Sequence, residues 1–463
     1  MWTSRSEKER LFLKDFPPEE FKERRKKLID AIGQEACALV PGMPFVRGFY
    51  RFRQSNDFYY LCGVEIPHAY LLIDGASGSS RLYIPRFIKG GKFTLTLEDS
   101  DLIREFSGID EVLPLEDLFE HLKDVKTLYV PHRPSEGWAE SRYTVTYANM
   151  LIALDPWDGR IPREQHLIGL LKARFPKMVI KDLTPILDSM RLIKSDREIK
   201  LLRKAGELAA LAVTEAMRIT RPGLMEYHLR AIASFIFIAH GGSGEGYLSI
   251  IATGNNIWDP HYYLHDTMLK EGDLVLMDAA PEYHYYTSDI GRMWPVSGKY
   301  LQWQRELYGF IVEYHKTLLQ CIRPGLTPEE VLKIAAENMV DYINKNKFSK
   351  DIYRKAAERA LQFTGHLSHT VGMAVHDAGD YHGMPFRPGM VFSVDPQMWV
   401  PEEELYIRVE DTVVVTENGV ERLTGKAPLD LDDVEETMRD RSSYFNKDLL
   451  YNALIKSVEY NMF

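Results

Sequence analysis

Acidic residues at the ends of apolar runs are the first sign of chemistry in this chain. Gly272-Asp-Leu-Val-Leu-Met-Asp278 is a strand-forming run that closes on a carboxylate, and a second carboxylate, Asp289, stands eleven positions later. A single pair of this kind is ordinary turn chemistry, because Asp is favoured beside turns. The pattern returns, however. Gly389-Met-Val-Phe-Ser-Val-Asp395 repeats the glycine-to-aspartate spacing of six, and Glu410 follows on a later strand. Nine positions separate Asp289 from Gly298 and also Glu410 from Gly419. Upstream, Arg221-Pro-Gly-Leu224 and Arg323-Pro-Gly-Leu326 each stand between a pair of helical stretches. The order helix, Arg-Pro-Gly-Leu, helix, strand, carboxylate, strand, carboxylate therefore occurs twice. It predicts two related α+β halves whose acidic strands meet at a pseudo-two-fold axis.

Four carboxylates in one pocket repel and raise one another's pKa values unless cations neutralise them. Two divalent ions balance four negative charges, and oxygen donors joined by an imidazole suit Mn²⁺, Fe²⁺, Co²⁺ or Zn²⁺. Histidines stand where such a site needs them. Gly365-His-Leu-Ser-His-Thr-Val-Gly-Met-Ala-Val-His376 carries His366, His369 and His376, and His261 precedes Asp278 by seventeen positions.

The elements that must hold these groups are legible in outline. Phe21, Leu28 and Ile32 mark one face of a helix over about 17–35, and short apolar runs at 37–40, 69–73 and 80–84 read as strands. Between them, Arg47 to Leu61 is dense in arginine and aromatic residues, either a packed loop or a ligand-facing surface. Helices and strands alternate to about residue 175, as expected of an α/β domain. Ser195-Asp-Arg-Glu198 is a capping box that opens a long helix, with Leu202, Ala205, Ala209, Val213 and Ala216 on its apolar face. That helix should stop before Arg221-Pro-Gly, because proline cannot continue it. A second helix runs from Tyr227 to about Ala239 and leads into Gly241-Gly-Ser-Gly-Glu-Gly246, which lacks the lysine of a phosphate-binding loop and reads as a flexible connection. The expected domains are 1–180, 181–435 and a helical tail over 436–463, whose Leu449, Leu450, Leu454 and Val458 keep helical spacing.

At 463 residues the chain is too long for one ordinary core. Its net charge of −10 leaves the run Lys22 to Lys27 as a solvated helix face, with no nucleic-acid partner expected. The three cysteines, Cys37, Cys62 and Cys321, have no metal-like spacing and read as free thiols in a reducing compartment. No apolar run approaches the ~20 residues that span a bilayer, and the first residues lack a signal-peptide core, so a cytoplasmic protein with no membrane partner is expected.

The C-terminal half resembles the pita-bread metallopeptidases, and the full layout is similar to aminopeptidase P, the Xaa-Pro aminopeptidase and prolidase-like family. The likeness rests on Leu-Met-Asp278-Ala-Ala, Ser-Asp289-Ile-Gly-Arg, Leu-Ser-His369-Thr-Val-Gly and Arg-Val-Glu410-Asp, together with Tyr50 to Gly63 in the first domain. It implies a duplicated α+β catalytic domain of pita-bread fold behind a smaller α/β N-terminal domain. It also implies two divalent ions, manganese first and zinc, cobalt or iron as alternatives. Asp289 and Glu410 would bridge the ions; Asp278 would bind one, and His369 and Asp395 the other. The implied reaction is hydrolysis of an N-terminal Xaa-Pro bond by a metal-bridging hydroxide. His261 and His376 would bind the substrate and its tetrahedral intermediate, Arg408 would orient carboxylates, and Tyr247 and Trp399 would stand at the substrate. The implied partner is a peptide with proline in second position, and the implied assembly a homo-oligomer, dimer or tetramer.

Three positions depart from the family pattern. Asp395 stands where glutamate is usual, one methylene shorter and with about 1.5 Å less reach. Trp399 replaces a tyrosine, and Gly365 replaces a histidine that His366 could substitute. Asp395 keeps open a pita-bread enzyme diverted to non-peptidase, lyase-like chemistry; a prolidase restricted to Xaa-Pro dipeptides would share the same metal site and is the other alternative.

Overall fold

A computed structural model of the chain describes residues 5–45, 49, 51–88, 94–440, 442, 444, 451, 452, 454 and 455. Arg47, Gly48 and Tyr50 of the arginine- and aromatic-rich stretch lie outside the described residues, as do Leu449, Leu450 and Val458 of the expected tail helix. Packing divides the chain into two units, Met1–Arg191 and Leu192–Phe463.

The first unit is built on a mixed six-stranded sheet. Its strands are β1 (Ala36–Pro41), β2 (Tyr70–Asp74), β3 (Ser80–Ile84), β4 (Glu111–Pro114), β5 (Thr127–Val130) and β6 (Val179–Asp182), in the order β4-β3-β2-β1-β5-β6. β2 pairs antiparallel with both β1 and β3, and the pairs β1/β5, β3/β4 and β5/β6 are parallel. Helix Pro18–Ile32 buries Phe21, Leu28 and Ile32 as its spacing predicts. The basic run on this helix is not wholly solvated, however. Arg24 and Arg25 turn inward and donate to the carbonyls of Tyr60 (3.0 Å) and Leu61 (2.8 Å), because those carbonyls at the end of helix Asn56–Cys62 need donors where water is excluded. Cys62 is buried, Cys37 and Cys321 are half-buried, and all three are free.

The second unit carries the candidate chemistry. Its strands are β7 (Gly244–Glu245), β8 (Ile250–Thr253), β9 (Leu274–Asp278), β10 (Pro281–Glu282), β11 (Ile290–Pro295), β12 (Val391–Val394), β13 (Gln397–Val400), β14 (Leu405–Arg408), β15 (Glu410–Thr416) and β16 (Gly419–Arg422). The main sheet runs β12-β15-β11-β9-β8, with β16 also on β15. The first repeat supplies β9 and β11 and the second supplies β15 and β12, so the junction of the two repeats is the pair β11/β15. β9 and β11 are buried along their whole length, which explains why they are mostly apolar, Asp278 and Arg292 being the charged exceptions.

Both repeats open with helices of the expected kind. Ser195 accepts from the Glu198 amide and Glu198 accepts from the Ser195 amide (2.9 Å), capping helix Asp196–Ile219. Thr327 and Glu330 do the same for helix Pro328–Lys345. The glycine-rich stretch after helix Glu226–Ala239 differs from the expected flexible connection. Gly244 and Glu245 pair with Glu282 and Pro281, and the Glu245 carboxylate accepts from Arg230 at 2.7 and 3.0 Å. A Cβ on Gly246 would lie 2.2 Å from the Thr287 hydroxyl, so glycine there serves close packing. Helix Leu431–Arg439 crosses the expected start of the tail at 436, and Leu454 packs half-buried against the core. Among the described residues no helix is long and apolar enough to cross a membrane.

Helix Asp196–Ile219 packs closely on neighbouring backbone at Gly206. A Cβ on Gly206 would lie 2.6 Å from the carbonyl oxygen of Leu423, just beyond β16. Gly206→Val is therefore expected to destabilise the protein by about 1–3 kcal/mol, read as a lower midpoint in urea unfolding. An unchanged midpoint would mean that the helix can move away freely.

Candidate metal centre

The sheet register brings the acidic strands into line. Gly291 on β11 faces Asp278 on β9 and Glu410 on β15, so the two carboxylates flank one glycine, with Asp289 two residues upstream of it. A side chain at Gly291 would have its Cβ 3.1 Å from that of Glu410 and 3.4 Å from Nε of Arg408. Glycine thus leaves the space that the arginine occupies. Asp289 is held by its backbone, its amide donating to the Thr412 hydroxyl (2.8 Å) and its carbonyl accepting from Thr412 (3.1 Å). The loop bearing His369 is fastened to β12, where the Ser393 amide donates to the His369 carbonyl (2.9 Å), and the Asp395 amide donates to that of Leu367 (3.1 Å).

At the centre, Asp289, His369 and Glu410 each offer a ligand atom within 4.8 Å of the others. Nε2 of His369 lies 3.3 Å from Oδ2 of Asp289 and 3.9 Å from Oε1 of Glu410. Asp278 and Asp395 stand beside this trio, joined to it through Arg408. That guanidinium donates to Oδ2 of Asp278 (3.0 Å), to both oxygens of Asp395 (3.1 Å each) and to Oε2 of Glu410. Tyr247 bridges the other side, its hydroxyl 2.5 Å from Oδ1 of Asp278 and 2.7 Å from Oδ1 of Asp289. One phenolic proton cannot be donated to both oxygens at once. The second contact is favourable only when a carboxyl group there keeps a proton.

Electrostatics agree with that geometry. Burial, and then repulsion from Asp278, pushes the Asp289 carboxyl well above its ordinary range. Burial does the same for Glu410, with Asp289, Asp395 and Asp278 adding to the rise and Arg408 opposing it. Oε1 of Glu410 is buried and has no hydrogen-bond partner among the described residues. The His376 ring stacks on that of His369, centroids 3.7 Å apart and planes 15° apart. Its pKa is pushed down to about 3, first by loss of hydration and then by His369, His261 and Arg408. His261 is exposed and stacks loosely on Tyr263, centroids 6.4 Å apart. Trp399 meets Trp258 edge to face at 5.0 Å and packs on Tyr406 at 4.4 Å.

Comparison with known proteins bears on what such a centre is. Residues 200–417 match metallopeptidase family M24, and residues 21–130 match the aminopeptidase P N-terminal domain. The chain is 32% identical to Xaa-Pro aminopeptidase of Escherichia coli over 91% of this chain and 97% of that protein. The chain belongs to the aminopeptidase P family of M24 metallopeptidases. It is also 29% identical to mouse Xaa-Pro aminopeptidase 3, over 84% of this chain and 77% of that one. Zinc-substituted aminopeptidase P of Escherichia coli in complex with product superimposes with a TM-score of 0.72 at 30% identity, covering 92% of this chain and all of the other. The protein is thus a peptidase of α+β, pita-bread architecture, from a family that uses divalent metal ions.

The residues present fit such ions. An aminopeptidase P-like centre needs oxygen donors and an imidazole, and here four buried carboxylates stand with His369, three of them in direct contact with the guanidinium of Arg408. The excess negative charge, the raised carboxyl pKa values of Asp289 and Glu410 and the unpartnered oxygen of Glu410 are what a site built around cations presents without them. His366, the candidate substitute for the missing histidine, is not in this cluster. It stacks edge-on to His382 (4.9 Å) and Phe363 (5.3 Å), because Gly365 turns the chain with φ +123° and directs the ring elsewhere.

Several residues at the centre have no signature in the sequence. Gln397 donates to Oδ2 of Asp395 (2.6 Å) and sits opposite Arg408 across β13/β14. Beneath Glu410, Arg292 donates to its carbonyl (2.6 Å) and to Asp411 (2.7 Å), whose other oxygen lies 2.8 Å from His315. Lys194 forms a buried ion pair with Asp377 (3.1 Å), which braces the loop between His369 and His376. Arg292 and Lys194 reach partners more than a hundred positions away, and Gln397, two positions from Asp395, belongs to no motif, so only the Arg-Val-Glu-Asp phrase hinted at any of them.

Arg408 is the partner whose loss the metal-free site would feel most. Arg408→Met is expected to destabilise the metal-free protein by about 3–5 kcal/mol, since carboxylates lose their buried counter-charge. Thermal melts with chelator and with Mn²⁺ should show a larger metal-induced rise for the variant than for the parent. Equal rises would mean that Arg408 does not share the charge that metal neutralises.

Proposed function

We propose that this centre removes the N-terminal residue from peptides whose second residue is proline. The observation that carries this reading is the set of buried Asp278, Asp289, Asp395 and Glu410 with half-buried His369, in a chain similar, over nearly its whole length, to Xaa-Pro aminopeptidases. In this reading Asp278, Asp289, His369, Asp395 and Glu410 would together hold two divalent ions. Manganese is the first choice, and zinc, cobalt or iron suits the same donors. When bound, such ions supply a water of lowered pKa and a Lewis-acid contact for the scissile carbonyl.

The remaining steps belong to the protein's own side chains. Tyr247 and Arg408 hold the carboxylates from opposite sides, so the donors are aimed before substrate arrives. His376, against His369, and His261 present ring nitrogens that would hydrogen-bond the peptide carbonyl as it becomes tetrahedral. Trp399, opposite Tyr406 on β14, forms an aromatic wall for the substrate. Asp395 is positioned to take the proton from the attacking water, yet it is short and is already held by Arg408 and Gln397. The base is therefore set back from the trio, and a displacement of about 1 Å can lower the rate ~10²-fold.

The metal-free protein reconstituted with Mn²⁺ or Zn²⁺ should cleave a Xaa-Pro-Xaa tripeptide, and chelation should abolish the activity. Cleavage of the Xaa-Pro dipeptide alone would make the enzyme a prolidase, and cleavage of neither peptide would overturn the proposed specificity. Asp395→Glu should raise kcat by as much as ~10²-fold by restoring the reach of the base. Loss of activity in that variant would show a centre organised around aspartate.

A further inference from the structure

Behind Asp395 the second unit encloses a cavity of about 430 Å³. Its walls come from three helices: Leu318 on Gln302–Cys321, Leu332 on Pro328–Lys345, and Ala360 on Asp351–Ala360. Phe363 and Trp399 flank it, and Asp395 stands at its boundary with the metal centre. The lining is mainly apolar, with Arg359, His366, Ser368 and Gln397 as further polar groups besides Asp395, which Arg408 ties to Asp278 and Glu410.

The departures from the family pattern all border this space. Gly365 lies between the lining residues Phe363 and His366, and a Cβ there would meet nothing within 4 Å. Trp399 leans on Trp258 and Tyr406, 36% exposed, so some of its ring face is free to meet a ligand. The short Asp395 is drawn toward Arg408 and Gln397. A cavity of this size lies within the ~300–1,000 Å³ range of small-molecule sites, and an apolar lining with a few polar groups at one end is what such sites have.

We propose that this cavity is a side-chain subsite of the peptidase, which takes a bulky apolar side chain of the peptide, aromatic or branched aliphatic, while the scissile bond lies over Asp289, His369 and Glu410. The inference rests on the peptidase reading above and adds a substrate class to it. The side chain enters past Asp395 and Trp399 and is buried against Leu318, Leu332 and Phe363. In a Xaa-Pro-Xaa peptide the group that fills it belongs either to the first residue or to the residue after proline, and both present the same chemistry to the cavity.

Full-length, Mn²⁺-loaded protein offered Ala-Pro-Ala, Phe-Pro-Ala and Ala-Pro-Phe separates these sources. One aromatic peptide should exceed Ala-Pro-Ala in kcat/KM by roughly 10- to 100-fold, as expected for burying one such side chain, and its identity tells which side chain enters. Ala360→Trp, which fills the cavity from its far wall, should bring that ratio close to one, mainly through KM. Equal rates for all three peptides on the parent protein, or a ratio unchanged by Ala360→Trp, would overturn the subsite. If no peptide is cleaved, the proposed specificity fails by itself, and calorimetry then judges the cavity. Weaker binding of Phe-Pro-Phe to Ala360→Trp than to the parent supports it, and equal binding overturns it. Should the variant fail to fold, the parent's preference among the three peptides decides.

Discussion

Four carboxylates occupy a space from which water is largely excluded, with one guanidinium among them, and the rest of the second unit is arranged around that excess of negative charge. Carboxylates this close cannot all ionise in low dielectric without cations. The molecule meets the problem in three ways at once. Arg408 contacts three of the four groups, the Tyr247 hydroxyl lies between two of them, and Asp289 and Glu410 hold their protons to higher pH than exposed acids do. None of these removes the demand for positive charge. The same arrangement that makes the metal-free site electrostatically unsatisfied makes it receptive to divalent ions.

That charge density depends on how rigidly the backbone is held. Asp278 and Glu410 reach the same place because Gly291 lies between their strands and carries no side chain. Thr412 fastens Asp289, and Arg292 with Asp411 fastens Glu410 from below. His369 arrives on a loop rather than a strand, so it needs extra support. Its carbonyl is bonded to β12, and the Lys194–Asp377 ion pair holds the far end of the same loop. Precision of this kind is what a metal centre requires, since donors that must move to bind an ion weaken the binding.

The substitutions at 365, 395 and 399 form one region rather than three scattered changes. Shortening the acid at 395, removing a side chain at 365 and exchanging a phenol for an indole at 399 all bear on the wall between the metal centre and the apolar cavity. The candidate donors Asp278 on β9, Asp289 just before β11 and Glu410 on β15 keep the family phrases and are not among the residues that line the cavity. In the proposed reading Asp395 is the group that the metal centre and the cavity share.

Much of this was legible in the residues alone. Repetition of Arg-Pro-Gly-Leu, strand and carboxylate implied a duplicated α+β domain, and the sheet order β9-β11-β15-β12 is that duplication in space. Capping boxes at Ser195 and Thr327 marked helix starts because capping is local chemistry. The candidate donors could be named from residue type and spacing, since few other reasons gather acids and histidines in that order. Where local signals ran out, expectation and structure diverged for physical reasons. The stretch Gly241 to Gly246 looked flexible because its pairing partner lies on β10, and Arg24 and Arg25 looked solvated because the carbonyls they satisfy belong to another helix. His366 looked like a stand-in for the family histidine at 365, but its ring meets His382 and Phe363. Sequence alone determined which side chains this protein has for chemistry and the order in which strands deliver them. Only the tertiary structure decided that Arg408 sits among three of the carboxylates and that a cavity opens behind Asp395, because each depends on contacts between residues far apart in the chain, which no local pattern encodes.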